Sequence, residues 1–230
     1  MRFLLAAALL ISVGSTAHAG IILDSSYAVN GIVGAAGLKG TYYHVGAGAT
    51  DFSLAKTLAL MGSSTATGTF VSTSINYNGN DASTITSFLA GDSGSYQGAA
   101  AAARDLSDAI LHLTGYYYSS GAQTVNFSMN HDDAAQFSLG GKVVLASNLG
   151  TDTASVTFMA PGYYALDVVY GNTMYNNGTG GASLTLRGNG AVLTSANMVQ
   201  TVVPEPASLI LLGAGLIGIG VARRWRAGIA

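Results

Sequence analysis

Uncharged apolar segments lie near both ends of the chain, and they confine any globular domain to the residues between them. The first segment, residues 3–13, is too short for a membrane-spanning helix, which needs ~20 residues. It follows a positively charged start, Met1-Arg2, and small residues stand at Ala17 and Ala19, the two positions that signal peptidase reads. We therefore expect residues 1–19 to be a signal peptide that signal peptidase removes, rather than a retained anchor.

The second apolar segment, residues 207–222, is followed directly by Arg223, Arg224 and Arg226. As a helix it would extend ~24 Å, a little less than the ~30 Å hydrocarbon core, and flanking residues can supply the difference. Positively charged residues tend to stay cytoplasmic, which places the domain outside the membrane and the arginines inside. The sequence thus predicts a single C-terminal membrane helix at about 207–222.

Pro204, Glu205 and Pro206 immediately precede this helix, and the two prolines keep the chain extended and out of any helix. The order Pro-Glu-Pro, short apolar helix and arginine cluster resembles the PEP-CTERM sorting signal of exopolysaccharide-producing Gram-negative bacteria. The resemblance covers residues 204–230. It implies that an exosortase, a membrane cysteine transpeptidase-like enzyme, cuts at or near the motif and releases or transfers the protein to the cell surface. The alternative is a plain C-terminal anchor whose Pro-Glu-Pro is a coincidence.

Composition limits what the remaining segment, residues 20–203, can do. It is long enough for one domain of generous size and short for two. It carries five basic residues against ten aspartates, a net charge of −5, and no glutamate. An acidic, lysine-poor surface argues against nucleic acid and anionic lipid as partners and suits cations or neutral glycans. Cysteine is absent from the chain, so disulfides and thiolate metal sites are excluded.

The pattern of this segment is typical of an all-β fold. Short alternating or β-branched runs, separated by clusters of Gly, Asn and Asp, predict many short strands and therefore an antiparallel β-sandwich with long loops. The candidate strands are residues 40–43, 69–75, 109–118, 123–129, 135–139, 142–147, 155–159, 163–170 and 182–187. One or two short helices are expected, at 99–109 after five consecutive alanines and at 51–61. Residues 72–98 are expected to form long loops.

No catalytic constellation emerges from the sequence. Residues 91–94, Gly-Asp-Ser-Gly, lack the upstream histidine signature of chymotrypsin-like proteases, and residues 53–56, Ser-Leu-Ala-Lys, lack the partner motifs of penicillin-recognising enzymes. The three histidines outside the signal peptide, His44, His112 and His131, do not have metallohydrolase spacing. Ten scattered aspartates do not single out a glycosidase pair. We therefore predict a protein that is not an enzyme.

The spacing of residues 127–144 predicts consecutive β-hairpins. One alternating strand ends in Asp132-Asp133, and a second ends in Gly-Gly before Lys142. Together with motifs at 37–43, 114–116, 160–170 and 181–186, this stretch resembles the protective-antigen-type domain, a β-sandwich of bacterial toxins, glycosidases and yeast adhesins. The implied organisation is a signal peptide (1–19), a lead-in (20–36), the sandwich (37–190), a linker (191–203) and the sorting signal (204–230).

The same resemblance implies a metal site. In the adhesin members, two successive aspartates, often joined by a cis peptide, bind Ca²⁺ beside an asparagine of a later loop, and the ion coordinates sugar hydroxyls. The pair falls here on Asp132 and Asp133, and the amide ligand on Asn176 or Asn177, with Asn172 as a further candidate. Calcium takes hard oxygen ligands of this kind. The alternative is that the two aspartates cap a hairpin turn and bind no metal.

These features predict an exported surface or extracellular-matrix protein, transiently anchored in the inner membrane, whose sandwich binds glycan with the assistance of calcium. The cell's own exopolysaccharide, and so a role in biofilm, is the expected context. Tyrosines that are candidates for stacking on sugar rings, or alternatively for half core and half surface positions, are Tyr116, Tyr117, Tyr118, Tyr163 and Tyr164. A purely structural envelope or matrix protein without a ligand is the alternative function.

Overall fold

The computed structural model describes residues 20–46, 51, 53–98, 105–174 and 180–204. The strands are β1 (Ile21–Leu23), β2 (Ala28–Val29), β3 (Gly31–Val33), β4 (Leu38–His44), β5 (Gly68–Ser72), β6 (Asn76–Asn80), β7 (Ala109–Ser119), β8 (Gln123–Asp132), β9 (Ala134–Leu139), β10 (Lys142–Ser147), β11 (Gly150–Phe158), β12 (Gly162–Asn172), β13 (Gly181–Gly188), β14 (Ala191–Val192), β15 (Met198–Val199) and β16 (Val202–Pro204). The helices are α1 (Leu54–Ser63) and α2 (Ile85–Leu89), with 3-10 turns at Ser25–Tyr27 and Ala90–Ser95.

The long strands form two sheets. The six-stranded sheet has the order β1-β11-β8-β13-β14, with β6 also paired to β13. The eight-stranded sheet has the order β10-β9-β12-β7-β4-β5, and the short strands β2 and β15 extend it beside β12 and β7. All pairs are antiparallel except β1 with β11. The predicted all-β antiparallel sandwich is therefore confirmed.

The core lies between the two sheets and is rich in aromatic rings. On β8, residues alternate between buried and more exposed positions, as a strand with one face on a core requires. The rings of Phe127 on β8 and Phe137 on β9 lie 5.1 Å apart and join the two sheets. Each is fully buried, and burial of such a side chain contributes about 1.5–3 kcal/mol. The sandwich is thus held by packing, without disulfides.

A second pairing ties the beginning of the described chain to its end. Strand β3 pairs with β16, and the ribbon continues through Gly34, whose N–H donates to the backbone oxygen of Thr201 at 2.8 Å. It ends where the N–H of Gly37 donates to the oxygen of Met198, also at 2.8 Å. The predicted lead-in therefore contributes β1, β2 and β3, and the predicted linker contributes β14, β15 and most of β16.

The helices differ in part from the sequence expectation. The helix expected at 51–61 is confirmed as α1, and the hydroxyl of Ser53 caps it by accepting from the N–H of Lys56 at 3.2 Å. The helix expected at 99–109 is wrong over its described part, because Asp105 makes an isolated bridge with Thr84 and Ala109 begins β7. Burial of this segment between β4 and β12 overrides the helix preference of alanine. Residues 99–104 lie outside the described part.

Residues 72–98 are more regular than the loops expected from their polar composition. They contain β6, α2 and a 3-10 turn, and their apolar side chains Ile85 and Phe88 are fully buried. A buried carboxylate organises the segment, since Asp92 accepts from the N–H of Thr73 at 3.1 Å and from the hydroxyl of Tyr77 at 2.8 Å. Sequence periodicity could not reveal these contacts because their partners are up to 19 residues apart.

Gly40 and Phe70 form a cross-strand pair whose close approach is a test of the packing. A Cβ atom on Gly40 would lie 2.4 Å from the Phe70 ring, which is buried and packs edge-on against Tyr77. We expect Gly40→Ala to lower the free energy of unfolding by about 1–3 kcal/mol, because the ring must move within a filled core. Urea unfolding measures this change.

The matched control is Gly62→Ala in α1, where no atom lies within 4 Å of the added Cβ. This variant should be neutral or more stable by up to ~1 kcal/mol, since alanine is the better helix former. Equal destabilisation by both variants would contradict the packing described here.

Candidate functional site

Asp132 and Asp133 lie where the chain passes from one sheet to the other. Strand β8 ends at Asp132 in the six-stranded sheet, and β9 begins at Ala134 in the eight-stranded sheet. The peptide bond between the two aspartates is cis. The predicted hairpin is therefore wrong in its first half, since β8 and β9 do not pair, and the alternative in which the aspartates cap a hairpin turn is wrong with it. The second half is confirmed, because β9 and β10 form a two-residue hairpin.

The two carboxylates have different environments. Asp133 is only 6% exposed, and its Oδ2 accepts from the backbone N–H of Thr173 at 2.7 Å. Asp132 is half-buried, and its Oδ2 lies so close to Gly181 that a Cβ there would be 2.4 Å away. We call this end of the sandwich, where the two aspartates lie, the aspartate end.

Burial determines the charge state of Asp133. Desolvation, together with the negative charges of Asp132 and Asp81, raises the pKa of the Asp133 carboxyl to about 7, although the hydrogen bond from Thr173 lowers it. A carboxyl that resists ionisation beside other carboxylates is a place where a bound cation would be stabilising. The electrostatics of the aspartate end therefore favour a cation.

A buried polar network holds the aspartate end together. The hydroxyl of Tyr170 contacts the backbone oxygen of Asp132 and lies 3.0 Å from Oδ1 of Asn172. The amide nitrogen of Asn172 donates to Oδ1 of Asp81 at 2.8 Å and to the backbone oxygen of Leu106 at 2.9 Å. Burial raises the pKa of Tyr170 well above its usual value, so its hydroxyl stays a donor. The network therefore holds the chain at Asp132, where it passes from one sheet to the other, through residues of β12 and of the two loops that carry Asp81 and Leu106.

These contacts bear on which asparagine serves as an amide ligand. Asn172 is fully buried, its nitrogen donates twice within the network, and its oxygen lies 3.0 Å from the hydroxyl of Tyr170. An amide oxygen has two lone pairs, so Asn172 stays a candidate ligand. Asn176 and Asn177 lie outside the described residues. Within the described ranges, no three His, Cys, Asp or Glu side chains converge as a metal-binding group. The aspartate pair itself supplies two carboxylates, and hard oxygen donors of this kind fit calcium.

His131, the residue before Asp132 on β8, has contacts that resemble those of a catalytic triad only superficially. Its Nε2 is 3.0 Å from Oδ2 of Asp152 and 3.0 Å from the hydroxyl of Ser147, while its Nδ1 contacts the backbone oxygen of Asp133. In a triad the acid and the nucleophile lie on opposite nitrogens of the ring. Here they share one nitrogen, and the hydroxyl of Ser147 donates to Asp152 itself. The arrangement orients the backbone at Asp133 rather than activating a serine.

The remaining predicted site residues lie largely beyond the described chain. Pro204 ends strand β16 in an extended conformation. The residues outside the described part are Ala17, Ala19, Glu205, Pro206, Arg223, Arg224 and Arg226. No helix among the described residues is long and apolar enough to cross a membrane, and the helix expected at 207–222 is not among them.

The tyrosines divide between core and surface. Tyr117 and Tyr164 are buried, whereas Tyr118 is 38% exposed and its ring centroid lies 4.9 Å from that of Tyr163. This division is what alternation along a strand with one buried face produces. None of these tyrosines lies at the aspartate end, because β7 and β12 carry them towards the opposite end of the sandwich.

The two-sheet sandwich is similar in fold to solved PA14 domains. It is similar to the PA14 domain of the MpAFP antifreeze protein, with a TM-score of 0.60 and 28% identity over 75% of this chain and 95% of that one. It is also similar to the PA14 sugar-binding domain of an RTX adhesin (TM-score 0.53, 24% identity, 72% and 99% covered). A third similar structure is the A domain of epithelial adhesin 9 from Candida glabrata in complex with Galβ1-3GlcNAc (TM-score 0.54, 12% identity, 77% and 97% covered).

A protein-sorting motif follows the sandwich in the sequence. Residues 202–226 match the PEP-CTERM protein-sorting motif, as the sequence predicts. The motif indicates export and a surface or extracellular location, reached through exosortase-dependent sorting. A search of curated protein sequences finds no significant match to the chain.

Sequence reasoning missed the residues that support the pair. Asp81, Tyr170 and Thr173 come from three separate segments and meet at the aspartate end only after the sheets pack. Asp81 lies in a polar stretch that reads as a loop, and Tyr170 reads as an ordinary strand tyrosine. Only the contacts made by the folded sandwich distinguish them.

The raised pKa of Asp133 predicts how stability depends on pH without calcium. The folded protein binds this proton more tightly than the unfolded chain does, so the contribution of Asp133 to stability falls as pH rises from about 4 to about 7. In a chelator, Asp133→Asn should be more stable than the wild type at pH 8, by up to about 4 kcal/mol, and this gap should narrow towards pH 4. Urea unfolding at both pH values measures it.

Asp24→Asn is the control, since Asp24 is exposed and hydrogen bonds from Ser26 lower its pKa below this window. This variant should leave the pH dependence between 4 and 7 unchanged. A gap between Asp133→Asn and the wild type that stays constant with pH would show that Asp133 ionises normally.

Proposed function

We propose that this protein is a non-enzymatic surface or matrix component that binds neutral glycan through a calcium ion held by Asp132 and Asp133. The observation that carries the proposal is the buried, reluctantly ionising carboxyl of Asp133 beside Asp132, at the end of a PA14 sandwich. The two carboxylates would ligate the ion, and Asn176 or Asn177 would add an amide oxygen.

Charge supports a cation at this place. Asp132, Asp133 and Asp81 bring negative charge close together, and among the described residues no Lys or Arg forms an ion pair with Asp132 or Asp133. Bound Ca²⁺ would neutralise the repulsion and favour the ionised form of Asp133. Calcium accepts six to eight oxygen ligands, so two carboxylates leave positions for sugar hydroxyls and water.

The solved structures support a sugar as the ligand. The RTX adhesin domain is described as sugar-binding, and the Candida glabrata adhesin domain holds Galβ1-3GlcNAc. The acidic charge of this chain, −5 between residues 20 and 203, suits an uncharged glycan better than an anionic one. For a protein that carries a PEP-CTERM signal, an exopolysaccharide of the producing cell is the natural candidate, and adhesion within a biofilm is the role that follows.

The route to the surface completes the proposal. Signal peptidase removes residues 1–19 after export across the inner membrane of a Gram-negative bacterium. The helix at 207–222 then anchors the chain transiently, with Arg223, Arg224 and Arg226 on the cytoplasmic side. An exosortase cuts at or near Pro204-Glu205-Pro206 and frees the domain. Strand β16 leads the chain to this motif in an extended conformation, which suits entry into a protease-like active site.

Calcium should stabilise the folded protein. Because the ion binds the native state, the free energy of unfolding should rise by about 2.7 kcal/mol at a hundredfold excess over the Kd. Magnesium should have a much smaller effect, since it requires a tight octahedron and holds its water. Asp132→Asn combined with Asp133→Asn should abolish the rise while leaving the domain folded. Melting temperatures from chelator to millimolar Ca²⁺ measure the effect.

The matched control is Asp167→Asn, which removes a half-exposed aspartate that bonds His112 on the outer face of the eight-stranded sheet. It should keep the full calcium response. A wild-type melting temperature that does not change between chelator and calcium would overturn the calcium site.

Sorting should depend on the motif residues themselves. In the native host, Glu205→Ala combined with Pro206→Ala should leave the protein in the membrane with its tail attached, because the exosortase no longer recognises its site. Gln200→Ala, just before the matched residues, should be processed as the wild type. Immunoblots of membrane and released fractions provide the readout, and normal release of the double variant would contradict the sorting role.

A further inference from the structure

A cavity of about 470 Å³ opens at the end of the sandwich opposite to Asp132 and Asp133. It lies between the last residues of β7, the first residues of β8 and the β13–β14 turn. The ten residues of β8 separate it from the aspartate end by ~30 Å, at about 3.3 Å per residue. We call this region the tyrosine end, after Tyr117 and Tyr118, which line it. A ligand there would not touch the aspartate end.

The lining of this cavity is uncharged and mixed in character. Among the described residues that form it, none is Asp, Glu, Lys, Arg or His. The side chains supply aromatic surface, small aliphatic surface and three amides, Gln123, Asn189 and Asn197. Most of these side chains, the three amides among them, are exposed, and none of them could form an ion pair with a charged ligand. The cavity is therefore suited to a neutral ligand that has both apolar faces and hydrogen-bonding groups.

Two of the amides are fixed by the fold. Gln123 donates from Nε2 to the hydroxyl of Ser119 at 2.9 Å, and Asn189 accepts at Oδ1 from the N–H of Asn126, also at 2.9 Å. These bonds use one end of each side-chain amide. Among the described residues no hydrogen bond uses the other end, an acceptor on Gln123 and a donor on Asn189, so a ligand can use it. A hydroxyl group can both donate and accept, so it matches this pair.

The accessible aromatic surface of the cavity comes from Tyr118, which is 38% exposed, and Tyr117 supports it from the core. Tyr117 is 6% exposed, and its ring packs 5.6 Å from that of Phe127 and 5.5 Å from that of Phe158. The backbone N–H of Tyr118 donates to the oxygen of Asn197 at 2.8 Å, which ties β7 to the opposite wall of the cavity. Fixed aromatic surface is a common means of binding at low conformational cost.

The turn that closes the cavity is equally well determined. Asn189 and Gly190 both have positive φ, 50° and 83°, as a two-residue hairpin turn requires. The N–H of Asn189 donates to the oxygen of Asn126 at 2.8 Å, and the N–H of Leu193 donates to Leu186 at 2.9 Å. The cavity is therefore formed before any ligand arrives, and its volume lies within the ~300–1,000 Å³ of small-molecule sites.

From this combination we infer that the tyrosine end is a second saccharide site, which takes one or two neutral hexose units and needs no calcium. Sugar rings have apolar faces that pack on aromatic and aliphatic side chains, and hydroxyls that pair with amides. With the aspartate end some 30 Å away, the domain would hold two polysaccharide segments at once. Such a bivalent domain links chains and gains avidity without new contacts. The inference does not depend on the calcium site.

The test is titration of the exported chain, in a chelator, with tetrasaccharides of glucose, galactose and mannose, followed by calorimetry and by NMR of side-chain amides. At least one of the three should bind with a Kd in the millimolar range or below and shift the amide signals of Gln123, Asn189 and Asn197. Gln123→Ala should weaken binding about tenfold. Ala196→Trp, which fills the cavity from an exposed turn, should abolish it.

Two controls make the result specific. Thr124→Ala changes the neighbouring exposed residue, which does not line the cavity, and it should bind as the wild type. Asp132→Asn combined with Asp133→Asn should also keep this binding, which separates the two ends of the sandwich. No binding of any of the three sugars in chelator would overturn the inference. Sugar binding by Gln123→Ala and Ala196→Trp with the affinity of the wild type would overturn it as well. So would binding of an acidic tetrasaccharide with the same affinity as the neutral ones.

Discussion

The passage of the chain between the two sheets at Asp132 and Asp133 is the constraint on which the rest of this structure depends. The hydroxyl of Tyr170 contacts the backbone oxygen of Asp132 and the side chain of Asn172. The amide nitrogen of Asn172 in turn donates to Asp81 and to the backbone oxygen of Leu106. A chain without cysteine has no covalent means of fixing such a crossing. Buried hydrogen bonds serve instead, and because every member has a partner, they specify one arrangement of the two sheets.

The same crossing concentrates negative charge, which connects stability with function. A sandwich built only for stability would not bury Asp133 beside Asp132 and near Asp81, because the carboxyl is then hard to ionise. Proteins tolerate such local conflicts mainly at functional sites, where a ligand relieves them. Calcium would relieve this one. The uncharged tyrosine end has no such conflict. The aspartate end would therefore bind sugar by calcium coordination, and the tyrosine end by aromatic packing and amide hydrogen bonds.

The sequence predicts the sandwich well because its signal is local. The apolar, β-branched run at 142–147 predicts the bounds of β10 directly, and the Gly140-Gly141 pair predicts the hairpin before it. The helix expected after the alanine run is overridden by burial of Ala109, and the placement of β8 and β9 in different sheets has no local sign at all. The aspartate pair was predicted through resemblance to a family. Its supporting residues arise from contacts between distant segments, which periodicity cannot reveal.

The most direct test of the calcium-assisted site is anomalous diffraction from crystals of the exported chain grown in calcium. We predict one anomalous peak at the aspartate end, about 2.3–2.6 Å from carboxylate oxygens of both Asp132 and Asp133, the range of calcium–oxygen bonds. Added sugar should place a hydroxyl in the same coordination shell. The absence of a peak beside the two aspartates, in crystals that contain calcium and a fully ordered aspartate end, would contradict the account.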